Sequence, residues 1–366
     1  MAAWLAALAV LAAALLAPAA LAAQGVRITD VSGRAVTVPR KPQRILIDDG
    51  RYLVALSLIS SDPASLLAGW PHDIQRIGTR TYEAYRARFP RLDSLPRTSS
   101  SAGSFSVEQA LAVRPDVAVL TLGRGPSAEQ LRQLDAAGVP VVFIDFFSHP
   151  LRNMEPSLRI LGQLTGNEAR AAEFIAFRRA HMESITRRLA ANAGVKRPDV
   201  FIEAHAGMSQ DCCNSPGKGN IGDYVTLVGG HNIGADVLPG TYGRVNVEYV
   251  IARDPAIYIA TGGPHLEKGG GLVLGRGYTP ASAKASLAAV TRRPGIELLS
   301  AVSRGDVHGL SHQLLNSPLD ILAVEALAKW IHPRLFHDLD PSRTLATIDS
   351  KFLAVPLGGT YWIDLR

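Results

Sequence analysis

Cysteine is almost missing from this 366-residue chain: there are two, and they are neighbours, Cys212 and Cys213. Adjacent cysteines cannot staple distant segments, so the fold must rest on core burial and not on a disulfide framework. Lysine is scarce as well, seven among 38 basic residues, and the net charge of +6 is carried chiefly by arginine. No run of five or more basic residues occurs, and no zinc-finger or RNA-binding signature, which argues against a nucleic-acid partner. Neither a G-x-S-x-G elbow nor a P-loop lysine pattern is present. Gly217–Gly222 matches G-x-G-x-x-G, but it follows a long loop and not a strand directly, so it is a weak sign of dinucleotide binding. Arginine in this balance suits small anionic ligands, because guanidinium pairs bidentately with carboxylate-like oxygens. Against that stands the ordinary fate of an arginine, which is solvated surface.

Charge is absent altogether before Arg27. Met1 to Ala22 is almost wholly Ala and Leu, and Ala20-Leu21-Ala22 is a small-x-small cleavage site followed at once by polar sequence. That predicts a secretory signal peptide over 1–22 in preference to a membrane anchor, although the basic n-region is missing. Glycine and proline are absent from 167 to 193, a stretch of 27 residues. Its apolar residues Ala171, Phe174, Ile175, Met182, Ile185 and Leu189 recur at helical spacing, interrupted once by Arg178. Asn167 is placed to cap it, Gly194 to end it and Pro198 to forbid continuation. Such a helix is about 40 Å long, a rigid strut between two lobes.

The segments on either side resemble each other. Ser106-Val-Glu-Gln-Ala-Leu-Ala-Val-Arg-Pro115 precedes Asp116-Val-Ala-Val-Leu120, and Asn246-Val-Glu-Tyr-Val-Ile-Ala-Arg-Asp-Pro255 precedes Ala256-Ile-Tyr-Ile-Ala260. Both read as a capped short helix, a proline turn and a buried strand, with Glu108 and Glu248 in register. Residues 26–38 alternate as a hairpin around Ser32-Gly33-Arg34. Strand 44–47 ends in Asp48-Asp49-Gly50-Arg51-Tyr52 before a helix from Leu53 to Ser60. Helix, strand, helix, strand follow at 106–113, 117–122, 127–137 and 139–144. After the strut come a strand at 199–204, further alternation to 306–310, and a helix from Pro318 to Ile331. Alternation of this kind predicts an α/β fold of two Rossmann-like lobes with parallel sheets, ligand loops lying at the strands' C-terminal ends.

At this point the chain resembles the periplasmic substrate-binding proteins of ABC importers for iron–siderophore complexes, haem and cobalamin. The resemblance rests on Val36-Thr-Val-Pro39 with Pro42-Gln-Arg-Ile45, the paired Val-Glu-x-x-Leu/Ile-Ala…Pro helices, Gly229-Gly230-x-Asn232-Ile233, and Leu299-x-Ala301-Val302-x-x-Gly305-Asp306-Val307. It spans 27 to about 333 and implies two α/β lobes joined by one long helix. The expected division is a signal peptide (1–22), a first lobe (23–148), a helical linker (149–194, strut 167–193), a second lobe (195–335) and an extension (336–366) packing on a lobe. The family presents one exposed glutamate on each lobe to basic pockets of an inner-membrane permease dimer, and here Glu108 and Glu248 hold those places. A first-turn glutamate that merely complements the helix dipole is the plainer alternative.

The ligand of such a protein lies between the lobes. Candidates placed after strands are Arg51, Tyr52, Arg80, Tyr82 and Arg124 from the first lobe. The second lobe offers the 207–220 loop with Cys212, Cys213 and Asn214, then Tyr242, Arg244, the 263–279 loop with Arg276 and Tyr278, and His312 and Gln313. Arginines would neutralise an anionic ferric chelate and aromatic faces would pack on its scaffold. In an oxidising compartment Cys212 and Cys213 are expected to form a vicinal disulfide, with free thiols and a thiolate metal site as alternatives. His308 and His312 read as loop or core histidines before metal ligands, and the first lobe offers only His72 and His149. The segment from Val355 to Asp364 is expected to run extended, with Tyr361 and Trp362 within reach of the cleft. The expectation is a monomeric, exported, non-catalytic receptor without a resident cofactor that carries a ferric-siderophore-type chelate to its permease. Haem, cobalamin or a bare metal ion are the alternative cargoes, and a chelate-processing periplasmic enzyme is the alternative class.

Overall fold

A computed structural model describes residues 25–366; the predicted leader lies outside the described residues. After a hairpin of β1 (Val26–Thr29) and β2 (Ala35–Val38), the first lobe is built on four parallel strands. They are β3 (Ile45–Ile47), β4 (Leu67–Gly69), β5 (Val117–Thr121) and β6 (Val141–Ile144), in the order β4-β3-β5-β6. Each is an apolar run with hardly a residue exposed, as parallel strands covered by helices on both faces must be. The covering helices include α1 (Arg51–Ile59), α2 (Val107–Ala112) and α3 (Ala128–Ala136). The second lobe repeats the plan with β7 (Asp199–Glu203), β9 (His231–Asn232), β11 (Ile257–Gly262), β12 (Val307–Ser311) and β13 (Trp362–Asp364), ordered β13-β12-β11-β7-β9. All its neighbours are parallel except β13, which runs antiparallel to β12. A small hairpin of β8 (Asn214–Pro216) and β10 (Tyr242–Arg244) stands beside that sheet. Two α/β lobes with parallel sheets are the architecture the alternation predicts.

Two antiparallel helices connect the lobes: α4 (Pro150–Thr165) and the strut α5 (Glu168–Ala190). Gly166, in the left-handed region, ends α4, a conformation glycine adopts without steric cost. The strut stops three residues short of the predicted Ala193. Asn192 folds back, donating from its side chain to the Arg188 carbonyl at 2.8 Å and from its backbone to Leu189, so Gly194 is not the C′ residue. Arg178, the one break in the apolar stripe, is buried and not solvated. It donates to both oxygens of Asp320, at 2.8 and 2.6 Å, at the start of helix α7 (Asp320–Ile331), which follows α6 (Val247–Arg253). Tyr224 donates to the same carboxylate at 2.7 Å. Nearby, His181 and Thr344 share Glu325, at 2.6 and 3.0 Å. Around these polar ties one apolar core runs unbroken from Ile45 and Leu53 through Phe174 and Ile185 to Val200 and Leu322.

The final segment straps the lobes together. Ala354 bonds to the Ser57 carbonyl in the first lobe, and Thr360 pairs with Gly275 in the second. Arg276 donates to the carbonyls of Pro356 and Leu357 at 2.6 and 2.8 Å. The tail then ends as β13 on the second sheet's edge.

Arg178→Ala leaves Asp320 ionised in the interior without its partner, and should cost about 3–5 kcal/mol of unfolding free energy. The triple change Arg178→Met, Asp320→Leu and Tyr224→Phe, which also removes the hydroxyl that donates to Asp320, should recover most of that loss. Urea denaturation monitored by circular dichroism measures both. A single-variant loss below about 1 kcal/mol would show the pair to be no anchor.

Candidate functional site

In each lobe the order of the strands reverses beside the first strand of its sheet, and ligands of open α/β sheets bind in the crevice at such a point. In the first lobe the reversal lies between β3 and β5, and in the second between β7 and β11. Asp48–Tyr52 leave β3 and Arg124 follows β5; His205 follows β7 and His265 follows β11. These loops face one another across a cleft of about 450 Å³, a volume that suits a small organic or chelate ligand.

The first-lobe wall carries Arg51, Arg76 and Arg124, with Phe147 beside them. Asp49, fully buried, organises the first two. Arg51 donates to it twice, at 2.9 and 2.6 Å, and Arg76 donates to the same carboxylate and, at 2.9 Å, to Ser101. Burial works to raise the Asp49 carboxyl, but the charge and hydrogen bonds of Arg51 together with the charge of Arg76 outweigh it and hold the group well below the ordinary range. Asp73 lies close to Arg76, at 3.5 Å, yet burial and repulsion from Asp49 push its carboxyl up to about 6. Arg124 is held by no carboxylate among the described residues and stacks over Phe147 at 5.1 Å. Two forks are thus oriented by one buried anion, and the third guanidinium has its charge available to a ligand.

The opposite wall carries three histidines from three strand ends: His205, His265 and His312. His205 Nδ1 and His265 Nε2 share a hydrogen bond at 2.8 Å, and the rings of His205 and His312 lie 3.9 Å apart. Buried Thr261, in β11, ties the group together: its hydroxyl accepts from the His205 backbone N–H and meets His312 Nδ1, both at 3.1 Å. His205 has φ +56°, a left-handed conformation rare for a residue with a β-carbon and one that tends to mark functional loops. Burial, His265 and the Arg51 guanidinium across the cleft lower the His205 imidazole to about 4. Burial lowers His265 too, and burial with its two histidine neighbours drives His312 well down. At neutral pH all three are uncharged, with nitrogen lone pairs to offer. Asn316 lies in the same wall, its buried side-chain oxygen without a hydrogen-bond partner.

Of the candidates read from sequence, the cleft assembles Arg51, Arg124, Tyr242, His312 and Gln313. Tyr52 is elsewhere: it is buried, its hydroxyl is 2.7 Å from that of Thr121, and its ring packs on Phe146. Tyr82 stacks on Trp70 and donates to Asp93, away from the cleft. Arg80 crosses between lobes at the rim, donating to the Gly277 carbonyl and lying over the ring of Tyr278 at 5.1 Å. Arg276 is occupied by the C-terminal strap. Asn214 serves the β8–β10 ladder and accepts from the Ala204 N–H. Cys212 and Cys213 are joined to each other and packed into a second-lobe core. Cys212 and Arg244 border a different, outer hollow together with Glu248. His308 bonds to Asp364 and stacks on Trp330, as a structural histidine would. The sequence reading did not single out Arg76, His205 or His265. The two histidines did carry a signal, since His205 stands two residues beyond the end of β7 and His265 three beyond the end of β11.

Glu108 and Glu248 are both exposed in the first turns of α2 and α6. Ser106 and Asn246 cap those helices by accepting from Gln109 and Glu248 N–H groups, at 3.2 and 2.8 Å. No helix among the described residues is long and apolar enough to cross a membrane.

Two lobes, one stiff connector and a cleft between facing strand ends define the class of bilobal solute-binding proteins. Residues 57–314 match the family model described as Periplasmic binding protein, and the chain belongs to that family. It is similar in structure to a TroA-like periplasmic binding protein, FepB, from Veillonella parvula, with 26% identity, a TM-score of 0.83 and coverage of 93% of this chain and 100% of that one. It shares its fold with the molybdate-binding MolA of Haemophilus influenzae (17% identity, TM-score 0.70, 91% and 99% covered). It likewise shares its fold with a periplasmic haem-binding protein of Pseudomonas aeruginosa (21% identity, TM-score 0.57, 87% and 98% covered). No curated protein matches the chain. The family and these neighbours are binding proteins and not enzymes.

Asp48, buried beside Asp49, accepts from the Thr121 N–H and hydroxyl, both at 2.9 Å. Burial nonetheless raises its carboxyl to about 7. Between the ordinary aspartate value near 3.8 and that point, the folded protein keeps a proton the unfolded chain has lost. This group's contribution therefore falls as pH rises through that window. Asp48→Asn should gain stability relative to the parent as pH is raised from 5 to 8, read from urea midpoints across the range. A pH-independent difference would contradict the assignment.

Proposed function

We propose that this protein is the receptor of an ABC importer, capturing an anionic ferric-siderophore-type chelate between its lobes and delivering it to an inner-membrane permease dimer. The observation that carries the reading is the make-up of the cleft. Three guanidinium groups stand on one wall and three uncharged imidazoles on the other, at the facing strand ends of two lobes. Guanidinium forks pair with the oxygens of an anionic chelate and repel a bare cation. That favours a complexed metal over a free ion, and Phe147 and Tyr242 supply faces for an organic scaffold. Export by the leader over 1–22 places such a receptor in the periplasm.

Delivery is proposed to run through Glu108 and Glu248. They occupy equivalent turns on opposite lobes, are exposed, and have no cation partner among the described residues, so each can meet an arginine pocket of the permease. Because one contact sits on each lobe, docking would register how the lobes stand to one another. Replacing both glutamates by alanine should abolish uptake of the ferric chelate by cells while leaving the purified protein's affinity unchanged. Unchanged uptake would remove the docking role, and lost affinity would show that the pair serves the fold or the cleft.

Arg124→Ala should weaken binding of an anionic ferric chelate by about tenfold, the loss of one charge-assisted contact, and binding should also fall with rising salt. Isothermal titration at two ionic strengths reads both. Affinity indifferent to the substitution and to salt would contradict the electrostatic account of the cleft.

A further inference from the structure

We infer that His205 and His265 bind the metal of the cargo directly, in two adjacent coordination positions, so that the cleft selects chelates whose metal is not fully wrapped by the chelator. This rests on the reading of the cleft as a site for an anionic metal chelate, and it deepens that reading.

With metal–nitrogen bonds of about 2.1 Å, two cis nitrogens of an octahedron lie about 3.0 Å apart and two of a tetrahedron about 3.4 Å. His205 Nδ1 and His265 Nε2 are 2.8 Å apart, close to an octahedral edge. The protein supplies little else, because among the described residues no group of three or more His, Cys, Asp or Glu side chains is arranged to hold a metal ion. His312 is turned to Thr261 through Nδ1 and packs on the His205 ring, which positions its neighbour. The acidic side chains on the opposite wall, Asp49 and Asp73, are engaged by Arg51 and Arg76. Two nitrogens complete a coordination sphere; they do not build one. The remaining ligands must arrive with the metal, and Arg51, Arg76 and Arg124 require that they arrive negatively charged.

Coordination is proton-balanced. The imidazole whose N–H now fills the His205–His265 hydrogen bond takes its other tautomer, so that both facing nitrogens present lone pairs and two metal–nitrogen bonds replace the two positions held by water in the free chelate. A planar macrocycle leaves only positions on opposite faces of its metal, and could take one of these nitrogens but not both.

Untagged mature protein is titrated calorimetrically with nickel nitrilotriacetate, an anionic chelate with two cis positions open, and with nickel EDTA, an anionic chelate with none. Nickel nitrilotriacetate should bind at least about tenfold more tightly than nickel EDTA. His265→Ala, on an exposed loop, and His205→Asn, which tolerates the left-handed backbone, should each remove about that advantage. With copper nitrilotriacetate, electron paramagnetic resonance should show coupling to two imidazole nitrogens, reduced to one in either variant. Equal binding of both nickel chelates, weakened only by Arg124→Ala, would overturn direct coordination and leave the anionic-chelate reading standing. Free nickel binding as tightly as its nitrilotriacetate complex would overturn both. Failure of nickel nitrilotriacetate to bind at millimolar concentration, or a copper spectrum without imidazole coupling, would overturn the coordination.

Discussion

The buried pairing of Arg178 with Asp320 is the contact on which the arrangement of the two lobes depends. An arginine in the middle of an apolar helix face has nowhere to place its charge except against a carboxylate, and here both oxygens are matched by a bidentate fork. Such a pair adds little net stability over a well-packed apolar one, but removing half of it is costly. Its effect is therefore on geometry. The strut cannot rotate or slide against the second lobe without uncovering an unpaired charge, while its other neighbours, including Phe352 at 5.1 Å from Phe174, tie it to the C-terminal strap. In the proposed mechanism, movement between lobes is a small hinge closure, and the cleft is largely formed before a ligand arrives.

That preformed cleft divides its chemistry by lobe. Asp49 spends its own charge inside the first lobe and, in doing so, fixes two guanidinium groups where their remaining donors meet the cleft. Thr261 does the corresponding work in the second, holding the His205 backbone and the His312 ring. Each wall is thus ordered by a buried group that never needs to touch the ligand. A ligand that is anionic at one end and offers a metal at the other would join two surfaces that do not otherwise complement each other.

Much of the fold was legible because its signals are local. The hairpin around Gly33, the apolar strand runs, the strut free of glycine and proline, and the repeated Val-Glu…Pro helices each state their structure within a few residues. The end of the strut is not legible from Gly194, because Asn192 turns the chain earlier through one side-chain and one backbone hydrogen bond. The cleft was legible only in part. Arg51, Arg124 and His312 stand where a strand-end rule places them, but Tyr52 satisfies the same rule and points into the core. The choice between cleft and core at adjacent positions is set by helix α1, whose first turn turns one side chain out and the next in. His205 and His265 are sixty residues apart, and nothing in either neighbourhood announces the other. Their meeting is a product of β7 and β11 lying side by side.

The central claim is capture of an intact, anionic metal chelate between the lobes. It is tested most directly by titrating the intrinsic fluorescence of the mature protein with ferric complexes of catecholate, hydroxamate and carboxylate chelators, with the metal-free chelators and with free metal ions, recovering the bound ligand for mass spectrometry. The account predicts saturable, submicromolar quenching by one anionic ferric chelate, with the ligand recovered unchanged. Quenching by free metal alone, or recovery of a chemically altered chelate, would contradict it.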